Sequence, residues 1–321
     1  MEPTWENTVV LDFWVLQDPG DEKKARDFLV TVEKFDFVPK KFGDEDPPKQ
    51  NFDLRSTGKL IEAWVKHPGQ LILERLGRRG FQALLHLSSA GKRPGLITFA
   101  VHDEYFRDDR GISKFLEFSE ELYRIFRPFH GEISHRKDWE NKTVIIKPMK
   151  MGGRIVNAES HEPVQPTKGL PGIFWANFFG PPFVDFYSKA KLQAAPGYVK
   201  KELFDGGYLI LTSKSPLEYM KPEAKKMERN LTEYLGADTV FDKTLPDRIL
   251  RSPFPARANT ATTPTPKFAV NDSTTSLSLQ NCPECGESKK IEETARDSVN
   301  NLIGFKCLNC GALWMVHASL L

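Results

Sequence analysis

Four cysteines stand in two C-x-x-C pairs near the end of the chain, Cys282-Pro-Glu-Cys285-Gly and Cys307-Leu-Asn-Cys310-Gly, with twenty-one residues between the pairs. A C-x-x-C turn brings two thiolates a few ångströms apart on one side of a knuckle. The glycine after the second cysteine allows the left-handed backbone that aims amide N–H groups at sulfur. Two such knuckles complete a tetrahedral shell of four thiolates, the structural ligand set of Zn2+ at about 2.3 Å per bond. The same four ligands can hold iron in a rubredoxin-like centre. A redox dithiol fits less well, because two pairs are present without a thioredoxin-like βαβ context.

The segment from about 280 to 316 resembles zinc ribbons, with Phe305 and Trp314 placed to cover a small core. Many zinc ribbons contact nucleic acid or the transcription machinery, which makes a nucleic-acid- or transcription-associated protein the alternative reading. Charge weighs against it. Residues 281–321 carry four basic side chains (Lys289, Lys290, Arg296, Lys306) and five acidic ones (Glu284, Glu287, Glu292, Glu293, Asp297). Phosphate binding draws on a concentrated basic surface.

No other segment offers an apparatus of comparable clarity. Seven histidines are scattered. His130 and His135, with Asp138 and Glu140 nearby, fit no zincin spacing and read as a polar surface loop. Gly77-Arg-Arg-Gly80 and Met151-Gly-Gly-Arg154 lack the Lys-Ser/Thr and helix of a phosphate loop, and no G-x-S-x-G elbow occurs. Arg78, Arg79, Lys92 and Arg93 lie on two successive turns and read as solvated. Trp175 and Asn177 read as core, with Asn177 satisfying a backbone group; their functional alternative is a partner-binding or pocket site near a strand end. An enzyme would need that pocket to gather Trp175 with His130 or His135. The chain reads as a non-enzyme.

The elements around these residues are set by apolar period. Residues 8–16 (TVVLDFWVL) read as a strand covered on both faces. Asp21 can cap a helix whose Ala25, Phe28, Leu29, Val32 and Phe35 follow the i, i+3, i+4, i+7 pattern. Residues 39–53 read as a surface loop, and 60–65 as a short helix or strand. Strands at 70–76, 81–87 and 96–101, separated by Gly-rich turns, predict an antiparallel meander. A helix over 113–127 ends at Pro128. Strands follow at 132–135 and 143–147, then an irregular connection over 148–170. Residues 208–212 read as a strand, and a helix from Pro222 closes at Gly236.

Between the last two groups lies an aromatic block, GLPGIFWANFFGPPFVDFYSKAKL (169–192), read as a buried strand over 172–179 entering a helix near Pro182. The block resembles bacterial immunity proteins of polymorphic-toxin and type VI secretion systems, the immunity protein 52 group and its relatives. The similarity runs through Gly206-Gly-Tyr-Leu-Ile-Leu-Thr212, Pro222-Glu-Ala-Lys-Lys-Met227 and Leu235-Gly-Ala-Asp-Thr-Val-Phe241. It implies an α+β protein that binds and blocks a cognate toxin, and it transfers no catalytic residue.

The whole is expected to be α+β: a mostly antiparallel sheet with packed amphipathic helices over residues 1–252, a flexible Thr/Ser/Pro-rich linker over 253–280, and a zinc ribbon over 281–321. The chain of 321 residues balances 45 Lys and Arg against 43 Asp and Glu, so its net charge of +2 offers no broad attraction to DNA or an anionic membrane. No apolar run nears the roughly 18–20 residues that span a bilayer. The start, MEPTWENTVVLDFWVL, lacks a cationic leader and small-residue cleavage site, and paired cysteines suit a reducing compartment, so the expected setting is a cytoplasm.

Overall fold

The computed structural model describes residues 5–16, 20–66, 69–77, 80–86, 94–151, 154–160 and 165–254, together with three C-terminal strands. The chain divides into two compact units, Met1–Ala258 and Asn259–Leu321.

In chain order the first unit contains β1 (Thr8–Val15), α1 (Glu22–Lys34), β2 (Lys41–Gly43), β3 (Gln50–Asn51), α2 (Gly58–Lys66), β4 (Gln70–Arg75), β5 (Phe81–His86), β6 (Gly95–His102) and α3 (Asp109–Phe126). Then follow β7 (His130–His135), α4 (Arg136–Thr143), β8 (Ile145–Met151), β9 (Arg154–Ser160), β10 (Ala176–Phe179), α5 (Pro181–Tyr187), α6 (Lys189–Ala194), β11 (Val199–Glu202), β12 (Tyr208–Leu211) and α7 (Pro222–Leu235). Ten strands form one sheet in the order β11-β12-β10-β7-β1-β6-β5-β4-β2-β3, every neighbouring pair antiparallel. The α+β class and the meander β4-β5-β6 are as the sequence indicates.

Alternation along β1 explains the layers. Val9, Leu11, Phe13 and Val15 enter a core shared with Phe28 of α1, Trp64 of α2 and the α3 residues Phe115, Phe118, Leu122 and Phe126. Those side chains recur at helical spacing, and each large one fully buried contributes about 1.5–3 kcal/mol. Asp21 caps α1, its Oδ1 accepting from Lys24 N at 2.8 Å. Arg127, at φ 47°, turns the chain out of α3 just before Pro128.

On the opposite face, α5, α6 and α7 cover one end of the sheet. Phe183, Tyr187, Leu192, Leu231 and Leu235 pack there on Phe179, Tyr208 and Ile210. The far end of that face, on β1, β6, β5 and β4, carries the site described below.

Gly131 shows how tightly the centre is built. It lies opposite Phe13 on β1 and Phe178 on β10, whose rings meet edge to face at 5.1 Å. A Cβ on Gly131 would fall 2.2 Å from Phe13 Cδ1. Gly131→Ala should therefore lower stability by about 2–3 kcal/mol through overpacking, seen as a lower urea midpoint with an unchanged slope.

Several expectations need correction. The 39–53 stretch is not simply a loop: β2 and β3 extend the sheet, and Phe42 is fully buried. Of the two readings of 60–65, helix or strand, the helix holds, as part of α2. The region 148–170 is not wholly irregular, because β8 and β9 pair as a hairpin. Only Ala176–Phe179 of 172–179 forms a strand. On α7 the charged Glu228 is buried while Tyr234 is exposed. The first unit also continues past 252: the Phe254 ring packs edge to face on Phe129 at 4.9 Å, and Ser252 Oγ donates to Thr167 O at 2.7 Å. The rest of the expected linker, 255–280, lies outside the described residues.

In the second unit β13 (Ile291–Asp297), β14 (Leu302–Cys307) and β15 (Leu313–His317) form a three-stranded antiparallel sheet. Cys307 ends β14 opposite Ile291, and Phe305 and Trp314 are direct cross-strand partners. Cys282, Cys285 and Cys310 lie outside the described residues, so the four-cysteine shell does too.

Candidate functional site

One rung of the sheet brings together polar residues that are far apart in sequence. Asn177 on β10 lies opposite Glu132 on β7, Glu132 opposite Asp12 on β1, and Asp12 opposite Thr98 on β6. Register fixes this row, and the two-residue period sends all four side chains to the face away from α1–α3. Beyond Glu132 that face opens into a cavity of about 370 Å³. Asp12, Trp14, Thr98 and Glu132 form its inner wall, and Gln70, Ile72, Gln82 and Leu84 its floor. Arg136, Trp139 and Asp46 contribute from α4 and from the loop after β2.

Helix α4 is polar except for Trp139, and local bonds hold it. His135 Nδ1 accepts from Lys137 N at 3.2 Å, capping its start. Arg136 Nε donates to Glu140 Oε1 at 2.8 Å, and Lys142 pairs with Asp138 at 2.7 Å, both four residues apart. The Arg136 guanidinium lies 4.9 Å from the centroid of the Trp139 ring.

The carboxyls of Asp12 and Glu132 face each other across two strands in low-dielectric surroundings. Thr98 Oγ1 donates to Asp12 Oδ1 at 2.5 Å. Burial, and next the Glu132 charge, push Asp12 up to about 7, against weaker opposition from Thr98, Arg136 and His130. Asp12 keeps a partly accessible surface, which is its face toward the cavity. Burial pushes Glu132 up to about 8, opposed by the Lys142 charge and a hydrogen bond from Trp139. His130 Nε2 lies 3.1 Å from Glu132 Oε2, and burial holds the imidazole down to about 3. At neutral pH a neutral imidazole therefore meets a carboxylic acid. Above pH 8 Glu132 is an acceptor only, so His130 must donate from Nε2. Its Nδ1 has no hydrogen-bond partner among the described residues.

A second buried network stands behind α4. Lys142 Nζ contacts Asp138 Oδ2 at 2.7 Å and Glu228 Oε2 at 2.9 Å, donates to Ile173 O at 2.7 Å, and lies 4.9 Å from the Phe174 ring centroid. Burial raises Asp138 and pushes Glu228 up to about 7. This network ties α4 to α7.

The sequence-derived candidates fall elsewhere. Trp175 is buried in the α1–α3 core, its Nε1 donating to Ser213 O at 3.0 Å. Asn177 is fully buried; its Oδ1 accepts from Phe174 N at 3.0 Å and its Nδ2 donates to Phe174 O at 2.9 Å. Neither lines the cavity. His130 packs with Phe179 and Phe183, His135 stacks on Tyr219 at 4.6 Å, and neither histidine lines the cavity. The surface-loop reading of 130–140 was wrong: His130, His135 and Asp138 are buried on β7 and α4. The polar composition that suggested a loop belongs to an internal network. Arg78, Arg79, Lys92 and Arg93 lie outside the described residues. Among the described residues no three His, Cys, Asp or Glu side chains gather as a metal ligand set.

Comparison with known proteins gives little more. No family model matches the chain, and no curated protein matches it. Among solved structures it has a distant neighbour in the Pseudomonas aeruginosa T6SS protein PA0821, at TM-score 0.44 and 9% identity, covering 75% of this chain and 83% of that one. No helix among the described residues is long and apolar enough to cross a membrane.

Proposed function

We propose that this is a non-enzymatic binding protein of the immunity type, which captures a protein partner and occludes it, and that the cavity-bearing face of the large sheet is its docking surface. One observation carries the reading: the charged groups at the cavity are held in place by bonds internal to the fold. Thr98 fixes Asp12, His130 fixes Glu132, and Glu140 fixes Arg136. Such a rigid, preformed recess suits recognition, because little side-chain freedom is lost when a partner fills it. That the partner is a toxin rests on the resemblance of 169–245. Co-purification of the full chain with the toxin-like product of a neighbouring gene, followed by mass measurement, should give a stoichiometric complex. No complex, together with turnover of a small substrate by the chain alone, would overturn the proposal.

We also propose that Cys282, Cys285, Cys307 and Cys310 hold one structural zinc. The donor set is chemically complete for that ion, and the antiparallel pairing of β13 and β14 seats Cys307 at a strand end. Metal analysis under reducing, chelator-free conditions should find about one zinc per chain. The double replacement Cys282→Ser and Cys307→Ser should lose it; a wild-type chain without zinc would refute the assignment.

A further inference from the structure

We infer that the cavity receives a single guanidinium group, an arginine side chain of the partner, seated between Asp12 and Glu132. The inference rests on the reading of this face as the docking surface and adds the chemistry that it recognises.

Acidic side chains outnumber basic ones around the cavity. Asp12, Glu132 and Asp46 line it against Arg136 alone. Arg136 is already paired with Glu140 and stacked on Trp139. Lys142, the nearest cation behind Glu132, is bound by Asp138 and Glu228. Among the described residues neither Asp12 nor Glu132 has a lysine or arginine at ion-pair distance; Asp12 bonds to Thr98 and Glu132 to His130. Two carboxyls with no cation at bonding distance, opening on a recess, can yield their protons to an incoming cation.

Shape narrows the choice. Asp12 and Glu132 are directly opposed across neighbouring strands, a pairing that sets their Cβ atoms about 4.5–5.5 Å apart. A planar fork with five donors can bridge two carboxyls so placed, whereas an ammonium satisfies them only as a point charge. Guanidinium is also the more weakly hydrated cation, and the recess is walled by Trp14, Ile72 and Leu84 as well as by polar groups. A volume of about 370 Å³ leaves room for the end of a long side chain.

Occupation has a proton signature. Both carboxyls hold protons near neutral pH because burial disfavours their charge. A cation between them reverses that preference, so protons leave to solvent as it enters. The groups that modulate the release are His130 on β7, Arg136 and Lys142 on α4, and Asp46 on the loop after β2.

The test is titration calorimetry of the full-length protein with N-butylguanidinium, with N-butylammonium and with N-butylurea, a neutral planar analogue, in buffers of differing ionisation enthalpy. N-butylguanidinium should bind 1:1, release protons at pH 7, and bind at least tenfold more tightly at pH 9 than at pH 6, because acids raised to about 7 and 8 both lose their protons over that interval. N-butylammonium should bind more weakly, N-butylurea should give no saturable heat, and Asp12→Asn with Glu132→Gln should weaken N-butylguanidinium at least tenfold. Equal binding of N-butylguanidinium and either other probe, its binding without proton release, or no saturable binding of it would overturn the inference. These comparisons use the wild-type chain, so they stand if the variant misfolds. A partner complex that forms although N-butylguanidinium does not bind would sink this inference while leaving the binding function intact.

Discussion

Replacing Lys142 with Met should lower stability by about 3–5 kcal/mol at pH 8, because it leaves two buried carboxylates without their cation. In the native fold Lys142 stands between Asp138 and Glu228, both nearly buried, and also satisfies Ile173 O. The loss should depend on pH in a definite direction. Asp138 and Glu228 are already raised by burial, and removing the ammonium raises them further. A carboxyl raised in the folded state binds more protons there than when unfolded, so the penalty is present at high pH and fades as pH falls through the folded value. Urea unfolding at pH 8 and pH 5 should therefore show a markedly smaller difference from wild type at pH 5. An equal deficit at both would mean that Lys142 acts by packing alone.

At the cavity, removing the charged groups is expected to stabilise the fold instead. Asp12 is raised to about 7 and Glu132 to about 8, against unfolded values near 4. Their protonated forms are compatible with the fold, so they impose no penalty below about pH 4. Stability is then lost as pH climbs through the folded values, each group contributing a slope of about 1.4 kcal/mol per pH unit while it titrates. His130, lowered to about 3, works the other way, its contribution being lost as pH falls below its unfolded value near 6.5. The window from pH 6.5 to 8 isolates the two acids, together with Glu228, which moves in the same direction. Asp12→Asn with Glu132→Gln should flatten the decline there and exceed wild type by at least about 2 kcal/mol at pH 8. Parallel stability curves for the two proteins would contradict the assignment of buried, proton-holding carboxyls.

If the double variant gains stability as expected, the two opposed carboxyls are kept at a cost to the fold, as residues held for another purpose would be.

The sequence revealed the scaffold better than the site. β1, α1, α3 and α7 declare themselves by apolar period, and Gly-rich turns mark the β4-β5-β6 meander. β2 and β3 escape because three and two residues carry no period. α4 escapes because RKDWENKT has no apolar stripe; ion pairs and a histidine cap hold it. The cavity is assembled from residues 12, 70, 82, 98, 132 and 136, and only strand order and register make them neighbours. A signal was nevertheless present. Asp12 is the sole charged residue within TVVLDFWVL, and a carboxylate in a strand covered on both faces demands a reason. Trp175 and Asn177 drew attention for the converse reason: their polar atoms are conspicuous in an aromatic run, yet both serve the core.

The central claim is that this face of the sheet engages a protein partner through its two opposed carboxyls. Its most direct test is the affinity of the full chain for the toxin-like product of a neighbouring gene, for wild type and for Asp12→Asn with Glu132→Gln. The variant, more stable at pH 8, should bind at least about tenfold more weakly, a loss of about 1.4 kcal/mol or more. A complex of unchanged affinity, formed by a variant shown to be folded, would place the docking surface elsewhere on the molecule.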